Sequence, residues 1–227
     1  MVIDPPQMKR VLVLSPHPDD EAIGLGGTLG LHVGRGDTVE VIFLTSGEKG
    51  VRGQSPTEIG PIREHEAQAA AQILGYVQFE FWRQPDGALR ATRELVERLR
   101  RKLAGFQPNI IYVPHEAEMH PDHRAAARLV ERALASSREN HPKVLMYEVW
   151  TPLQQIDHVE DISDQIETKL AAIRAHKSQC DIMDFVEAIR GLNRYRGEMH
   201  SWPGGPYAEV FQHMSSRDIG HPDDPPR

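Results

Sequence analysis

The sequence contains His-Pro-Asp followed by a second polar residue three times, and these residue types bind metals and move protons. The copies read SPHPDDEAIG at 15–24, EMHPDHRAAA at 118–127 and IGHPDDPPR at 219–227. Histidine nitrogens and carboxylate oxygens that leave one position open form the ligand set of catalytic zinc sites. Spelling does not separate the copies, because the first and third are identical over four residues. Their places relative to the predicted strands and helices do.

The predicted elements alternate along the chain between short apolar strands and amphipathic helices. Strands are predicted at 10–15, 38–46, 77–82, 109–114, 143–150 and 207–214, and helices at 21–36, 61–75, 92–106, 122–137, 163–179 and 184–197. This alternation predicts a single-domain, Rossmann-like α/β fold, with a doubly wound, mostly parallel sheet and helices on both faces. The domain would span 10–214, after an N-terminal extension at 1–9 and before a disordered tail at 215–227.

The first two copies of the motif are predicted to meet at one edge of the sheet. Each follows a predicted strand and opens a predicted helix. Ligands of open α/β sheets bind outside the carboxyl ends of the strands. The third copy follows no strand and opens no helix, so we expect it to be a solvated tail without a catalytic role.

The spacing within the two copies suggests a division of roles. His17 and Asp20 are three residues apart at a helix start and can share a face, and His120 and His123 repeat that spacing. Asp19 neighbours Asp20 and must point elsewhere, so one carboxylate could bind a metal while the other faces its water. Capping of the helix start is the alternative for either cluster alone. Two clusters at one sheet edge favour a metal site.

Composition limits the other classes of function. The chain has 227 residues, a net charge of −7 and no evident basic face, which argues against nucleic-acid and membrane-surface partners. No signal peptide or membrane-spanning run is visible. The single cysteine, Cys180, excludes an internal disulfide framework and fits a reducing cytoplasm. The glycines of GLGGTL are expected to let the first helix pack closely.

Six segments carry a resemblance to a known family: SPHPDDEAIGLGGTL, REHEAQAAAQILG, QPDG, MHPDHRAAARLV, AHKSQ and YAEVF. Together they resemble the LmbE-like deacetylases (the PIG-L family), zinc-dependent enzymes that remove N-acetyl groups from glucosamine-containing molecules. Within that family, EAEMHPDH and AHKSQ look most similar to the bacillithiol-pathway enzymes that act on N-acetylglucosaminyl malate. The resemblance spans about 11–214. It implies a small amino-sugar substrate and a homo-oligomer, a trimer or a hexamer.

The resemblance also implies roles for the residues of the two copies. The implied zinc ligands are His17, Asp20 and His123, and Fe²⁺ or Co²⁺ could take the place of Zn²⁺. Asp19 would be the general base, and His120 would polarise the substrate carbonyl or act as general acid. Asp122 would orient an imidazole.

Further positions match family residues that contact substrate, and each has a structural alternative. They are Arg63, Asp86, His176, Gln179 and Glu209. Arg63 also fits an ordinary first-turn helix residue, and Asp86 also fits a tight turn. By residue type alone, the other three fit surface or cap positions. Some family members carry a tyrosine just before the second motif. Glu118 and Met119 stand there instead, so His120 and the metal would have to stabilise the oxyanion.

Two other functions remain open at this stage. A zinc amidase that cleaves a larger thiol or sugar conjugate would use the same residues. A phosphoacceptor regulatory module also places an acidic pair after its first strand, where it binds magnesium. Such a module needs no histidine in either cluster and is far shorter than this chain.

Overall fold

The computed structural model describes residues 8–135, 141–200 and 204–214. In these ranges the strands are β1 (Arg10–Ser15), β2 (Thr38–Thr45), β3 (Gln78–Gln84), β4 (Ile110–Pro114), β5 (Lys143–Tyr147), β6 (His158–Asp161) and β7 (Ala208–His213). The helices are α1 (Asp20–Gly34), α2 (Pro56–Leu74), α3 (Arg93–Phe106), α4 (Pro121–Leu134), α5 (Ile166–Ala175), α6 (Lys177–Cys180) and α7 (Phe185–His200). The third copy of the motif and the predicted tail lie outside the described residues.

The strands form one sheet in the order β3-β2-β1-β4-β5-β7-β6. The first five are parallel, and β7 runs antiparallel to both β5 and β6. The predicted α/β class with a mostly parallel sheet is therefore confirmed. β1 lies between β2 and β4, where the strand order reverses direction, and ligands bind at such a switch point.

The two faces of the sheet are covered by different helices, as alternation along the strands requires. In β1, Val11 and Val13 pack into a core built with α1, α2, α5 and α7. Leu12 and Leu14 point to the other face, into a core built with α3 and α4. All four side chains are fully buried. Helices cover both faces of the sheet, as predicted, and this arrangement leaves the ends of the strands open.

Helix α1 is kinked at Leu25, whose φ and ψ are −145° and 22°. The kink leaves backbone N–H groups beyond it without helical partners. Those of Gly27 and Thr28 donate to the Glu209 carboxylate over 2.9 and 2.8 Å. A side chain at Gly24 would overlap the ring of Tyr147 in β5, so the expected close packing is confirmed at this glycine.

Three elements differ from the prediction by more than small shifts at their ends. The helix predicted from Pro61 begins at Pro56, and Pro61 lies inside it. Proline fits the first turn of a helix because its missing N–H would be unpaired there, and Pro56 takes that place. The helix predicted at 163–179 is divided at His176 into α5 and α6. Strand β6 was not predicted, because HVED lacks an apolar run.

Candidate active site

The loop between β1 and α1 holds Asp19 in an unusual backbone conformation. Its φ is 135°, which is rare for a residue other than glycine. The backbone N–H of Asp19 donates to the Glu21 carboxylate over 3.3 Å. That carboxyl also accepts hydrogen bonds from Ser15 and Tyr76. Burial raises the pKa of Glu21 to about 8. The Glu21 carboxyl group therefore helps to hold the backbone of the loop between β1 and α1 in place.

Three side-chain atoms from the two motif copies converge at the sheet edge. His17 Nδ1 lies 3.1 Å from Asp20 Oδ2. His123 Nε2 lies 3.2 Å from the same oxygen and 3.3 Å from His17 Nδ1. His17 and His123 are 106 residues apart in the chain. The fold thus brings together the three predicted metal ligands.

This triangle fits a metal ion in its spacing and in its donor types. Tetrahedral zinc with ligands at about 2.0–2.1 Å would hold neighbouring donor atoms about 3.4 Å apart. The three observed edges, 3.1 to 3.3 Å, are close to that length. Two imidazole nitrogens and one carboxylate oxygen are also a ligand set found at catalytic zinc sites. The residues therefore fit the metal that the resemblance implies.

The second nitrogen of His17 faces two carboxylates. His17 Nε2 lies 3.2 Å from Asp86 Oδ1 and 3.4 Å from Asp122 Oδ2. Asp122 is itself held by the backbone N–H groups of Gly87 and Leu89. Carboxylates in this position fix the tautomer and orientation of a ligating histidine. The geometry agrees with the orienting role expected of Asp122, and Asp86 shares that position.

The second nitrogen of His123 faces the carboxylate of Glu118. The two atoms, His123 Nδ1 and Glu118 Oε2, are 3.7 Å apart. Among the described residues, neither atom has a hydrogen-bond partner. Burial favours the neutral imidazole, yet Asp20 and Glu118 raise the pKa of His123 to about 9. The carboxylates of Asp20 and Glu118 thus face the two ring nitrogens of His123.

Asp19 lies beside the triangle and is paired with Arg63. Their side chains are 3.1 Å apart, and Arg63 also donates to the carbonyl oxygens of Gly47 and Pro18. Burial raises the pKa of Asp19 to about 7, although the Arg63 guanidinium opposes that rise. A carboxyl group with such a pKa can both accept and release a proton near neutral pH.

His120 stands at the start of α4 and lines the cavity. Its Nδ1 accepts the backbone N–H of Asp122 over 3.2 Å, which makes His120 the cap of the helix. Burial and the neighbouring rings of His17 and His123 lower the pKa of His120. Because Nδ1 is an acceptor, the proton of the neutral ring resides on Nε2. His120 can therefore donate one hydrogen bond to a ligand.

The cavity above these residues has a volume of about 310 Å³. Its polar side chains are those of His17, Asp19, Asp20, Lys49, Arg63, Asp86, His120 and Gln179. Its apolar side chains are those of Ile23, Trp150, Ile182, Met183 and Phe185. Trp150, Ile182 and Met183 are among the exposed large hydrophobic residues. The cavity therefore joins a charged floor to an apolar mouth.

The predicted substrate contacts divide into two groups. Arg63, Asp86 and Gln179 line the cavity. His176 is buried outside the lining, and neither of its ring nitrogens has a partner among the described residues. Its burial and the Arg63 charge lower its pKa to about 3, so it is neutral.

The structure places Glu209, which was predicted to contact substrate, outside the residues that line the cavity. Its side chain is fully buried and forms an ion pair with Lys169 over 2.6 Å. Both carboxylate oxygens are also engaged by α1 beyond the kink. No face of this carboxylate is available to a ligand.

Among the site residues without a role assigned from the sequence are Glu21, Glu118 and Trp150. Glu21 stands inside the first motif, so its position offered a signal. Glu118 was noted only as the replacement of a tyrosine. Trp150 follows β5 and offered no sequence signal.

Among the described residues, no helix is both long and apolar enough to cross a membrane.

Comparison with known proteins places the chain among deacetylases. Residues 12–134 match the family described as PIG-L, GlcNAc-PI de-N-acetylase. The diacetylchitobiose deacetylase of Thermococcus kodakarensis is 33% identical and covers 89% of this chain and 82% of its own. The probable N-acetyl-alpha-D-glucosaminyl L-malate deacetylase 2 of Bacillus anthracis is 29% identical, and the match covers 75% of this chain and 81% of that protein.

Solved structures agree in fold. The N,N'-diacetylchitobiose deacetylase of Pyrococcus horikoshii superposes with a TM-score of 0.83 at 28% identity, over 96% of this chain and 88% of that chain. GalB of Pseudomonas putida, a 4-carboxy-2-hydroxymuconate hydratase, superposes with a TM-score of 0.78 at 26% identity. That match covers 92% of this chain and 97% of GalB. The match to the PIG-L family covers more than half of the residues of this chain, so the chain belongs to that family.

Proposed function

We propose that this chain is a metal-dependent N-deacetylase. It removes the acetyl group from an N-acetylglucosamine unit of a small molecule and releases acetate and a free amine. The observation that carries the proposal is the triangle of His17, Asp20 and His123 with Asp19 beside it. Deacetylases among the relatives support the same reaction.

His17, Asp20 and His123 would hold the metal, and their mixed nitrogen and oxygen donors suit Zn²⁺, with Fe²⁺ or Co²⁺ as alternatives. When bound, such a metal polarises the acetamido carbonyl and acidifies the attacking water. Asp122 and Asp86 keep the His17 ring in place through its Nε2. These roles account for the carboxylates of Asp86 and Asp122, which face the second nitrogen of His17.

Asp19 serves as the general base. It takes a proton from the water as the water oxygen bonds to the acetyl carbon. Because its pKa is about 7, the same carboxyl group can then pass the proton to the nitrogen as the C–N bond breaks. Arg63 holds the Asp19 side chain in place and is engaged by two backbone carbonyls, which favours a positioning role.

His120 serves as the electrophile. Its Nε2–H donates a hydrogen bond to the carbonyl oxygen while that oxygen becomes negative. Donors placed in advance for this charge make a large contribution to such reactions. The lowered pKa of His120 favours the neutral donor over an imidazolium acid. Gln179 and the apolar mouth are left to contact the sugar and its substituent.

An acetate-release assay with diacetylchitobiose, N-acetylglucosaminyl malate and a larger N-acylated glycoconjugate tests the proposal, with and without a chelator. We expect acetate from at least one small substrate, loss of activity with the chelator, and recovery with Zn²⁺. Activity on the large conjugate alone would favour the amidase alternative. Acetate release that survives complete metal removal would contradict the metal-dependent mechanism.

We further propose a cytoplasmic location and a homo-oligomer, a trimer or a hexamer. The first rests on the single cysteine and the second on the family resemblance. Light scattering of the purified protein tests the second. A monomer at all concentrations would contradict it.

A further inference from the structure

We propose that Glu118 is a positioning residue with two tasks. One carboxylate oxygen orients the proposed metal ligand His123, and the other fixes the segment 149–151, which carries Trp150 into the wall of the cavity. The inference rests on the proposed metal site. It does not depend on which acetylated sugar is the substrate.

The contact with the cavity wall is made by Glu118 Oε1. This oxygen accepts three successive backbone N–H groups, from Val149, Trp150 and Thr151, over 2.8, 2.9 and 3.1 Å. The backbone of Met119 adds a fourth connection, to the Thr151 hydroxyl over 2.9 Å. A loop held by three donors to one charged acceptor has little freedom. The position of the Trp150 ring at the mouth therefore depends on Glu118.

The contact with the metal site is made by Glu118 Oε2. It faces His123 Nδ1 at 3.7 Å, and both side chains are fully buried. Neither atom has a hydrogen-bond partner among the described residues. If His123 Nε2 binds a metal, Nδ1 must carry the ring proton. A donor then faces an acceptor, which is the arrangement that orients ligating histidines.

A carboxylate suits both tasks better than an amide does. Glutamate offers acceptors on both oxygens, whereas glutamine offers one acceptor and one donor. In Glu118→Gln the three backbone N–H groups will retain the amide oxygen. The amide NH₂ is then turned toward the Nδ1–H of His123, and two donors face each other. This variant separates the two tasks because it disturbs only the metal site.

The test compares Glu118→Gln and Glu118→Ala with the wild type in zinc affinity and in KM. Affinity is measured by competition with a chromophoric chelator. We expect Glu118→Gln to bind zinc about 10- to 100-fold more weakly. Its KM at saturating zinc should stay within about twofold of the wild type. Glu118→Ala should lose zinc affinity and also raise KM, because the Trp150 segment is released. Glu116→Gln, an exposed neighbour in the same loop, is the matched control.

The outcomes are distinguishable from failure of the proposed function. If the wild type itself binds no zinc, the proposed metal site fails. If the wild type binds zinc and Glu118→Gln binds it equally well, the orienting role of Glu118 is wrong. An equal rise in KM for both variants would overturn the separation of tasks. Imidazole N–H signals of the zinc-loaded wild type give a readout that needs no variant to fold. A His123 Nδ1–H in fast exchange with water would also contradict the proposal.

Discussion

At the scale of single residues, Asp19 carries the most specific prediction, because it lies beside the donor triangle without belonging to it. Its φ of 135° is tolerated by asparagine better than by most residues. We therefore expect Asp19→Asn to fold and to keep its metal, while acetate release falls about 10²- to 10⁴-fold through loss of the general base. Turnover and bound metal are measured on the same preparation.

His123→Ala is the matched comparison for Asp19→Asn. It removes one of three donor atoms, so we expect loss of the metal together with the activity. If Asp19→Asn loses its metal as readily as His123→Ala does, then Asp19 is a ligand. If Asp19→Asn turns over like the wild type, the base must be sought elsewhere.

The residues of the donor triangle could be predicted from the sequence, whereas the role of Glu209 could not. His17, Asp20 and His123 belong to local patterns that directly follow strands, and parallel strands bring such patterns to one edge. Glu209 lies in β7 and pairs with α1 and α5 across the core. That contact depends on the kink at Leu25, and the glycines beside Leu25 permit a kink without indicating which carboxylate will cap it. The motif YAEVF therefore marks a structural carboxylate.

At the scale of elements, the carboxylate of Glu209 acts as the cap of the second half of α1. It accepts the N–H groups of Gly27 and Thr28 and pairs with fully buried Lys169. Removing one partner of such a pair leaves a buried charge, so Glu209→Gln should lower the free energy of unfolding by about 3–5 kcal/mol. Urea denaturation measures this change. Exposed Glu167→Gln serves as the control and should leave the stability nearly unchanged.

The Glu209 prediction also has an internal check. Lys169→Met on its own should be similarly harmful, because it leaves the Glu209 charge unpaired. Combining Lys169→Met with Glu209→Gln removes both charges, and the loss should be smaller than the sum of the two single losses. Strict additivity would mean that the two side chains do not interact.

The segment after β5 yields a prediction about substrate binding. Trp150 lines the cavity mouth, its ring centroid lies 5.6 Å from that of Phe185, and it is about 40% exposed. An aromatic ring at this position offers a flat apolar surface to a bound sugar derivative. Trp150→Ala should raise KM about tenfold and change kcat much less, since the ring is not one of the groups proposed to hold the metal or move a proton. Steady-state kinetics test this, with Trp82→Phe on the other core as control. An unchanged KM would remove Trp150 from the binding surface.

At the scale of the whole molecule, the parallel half of the fold could be predicted better than the antiparallel half. Apolar runs such as RVLVLS and NIIYVP are buried on both faces, so their composition alone identifies them. Strand β6 reads HVED and is only partly buried at the sheet edge, so pairing with β7 defines it. Pro61 was likewise misleading, because Pro56 opens α2 about one turn earlier and Pro61 lies inside the helix.

The outer strand β6 provides a prediction of how stability depends on pH. Glu160 on β6 binds His158 over 3.2 Å and Arg35, at the end of α1, over 2.7 Å. The hydrogen bond from His158, with the Arg35 charge, lowers the pKa of Glu160 from 4.5 to about 2, although partial burial opposes the shift. A carboxyl group whose pKa is lower in the folded state stabilises the protein above its unfolded pKa. That contribution is lost as pH falls through the folded pKa.

Glu160→Gln should therefore lower the free energy of unfolding at pH 7, by about 1 kcal/mol for a pair partly screened by solvent. The difference from the wild type should shrink as the pH falls from about 4.5 to about 2, where the carboxyl group takes up its proton in both states. Urea unfolding at several pH values measures it, with Glu167→Gln again as the exposed comparison. A difference that stays constant down to pH 2 would mean that the charge of Glu160 does not contribute to holding β6 against α1.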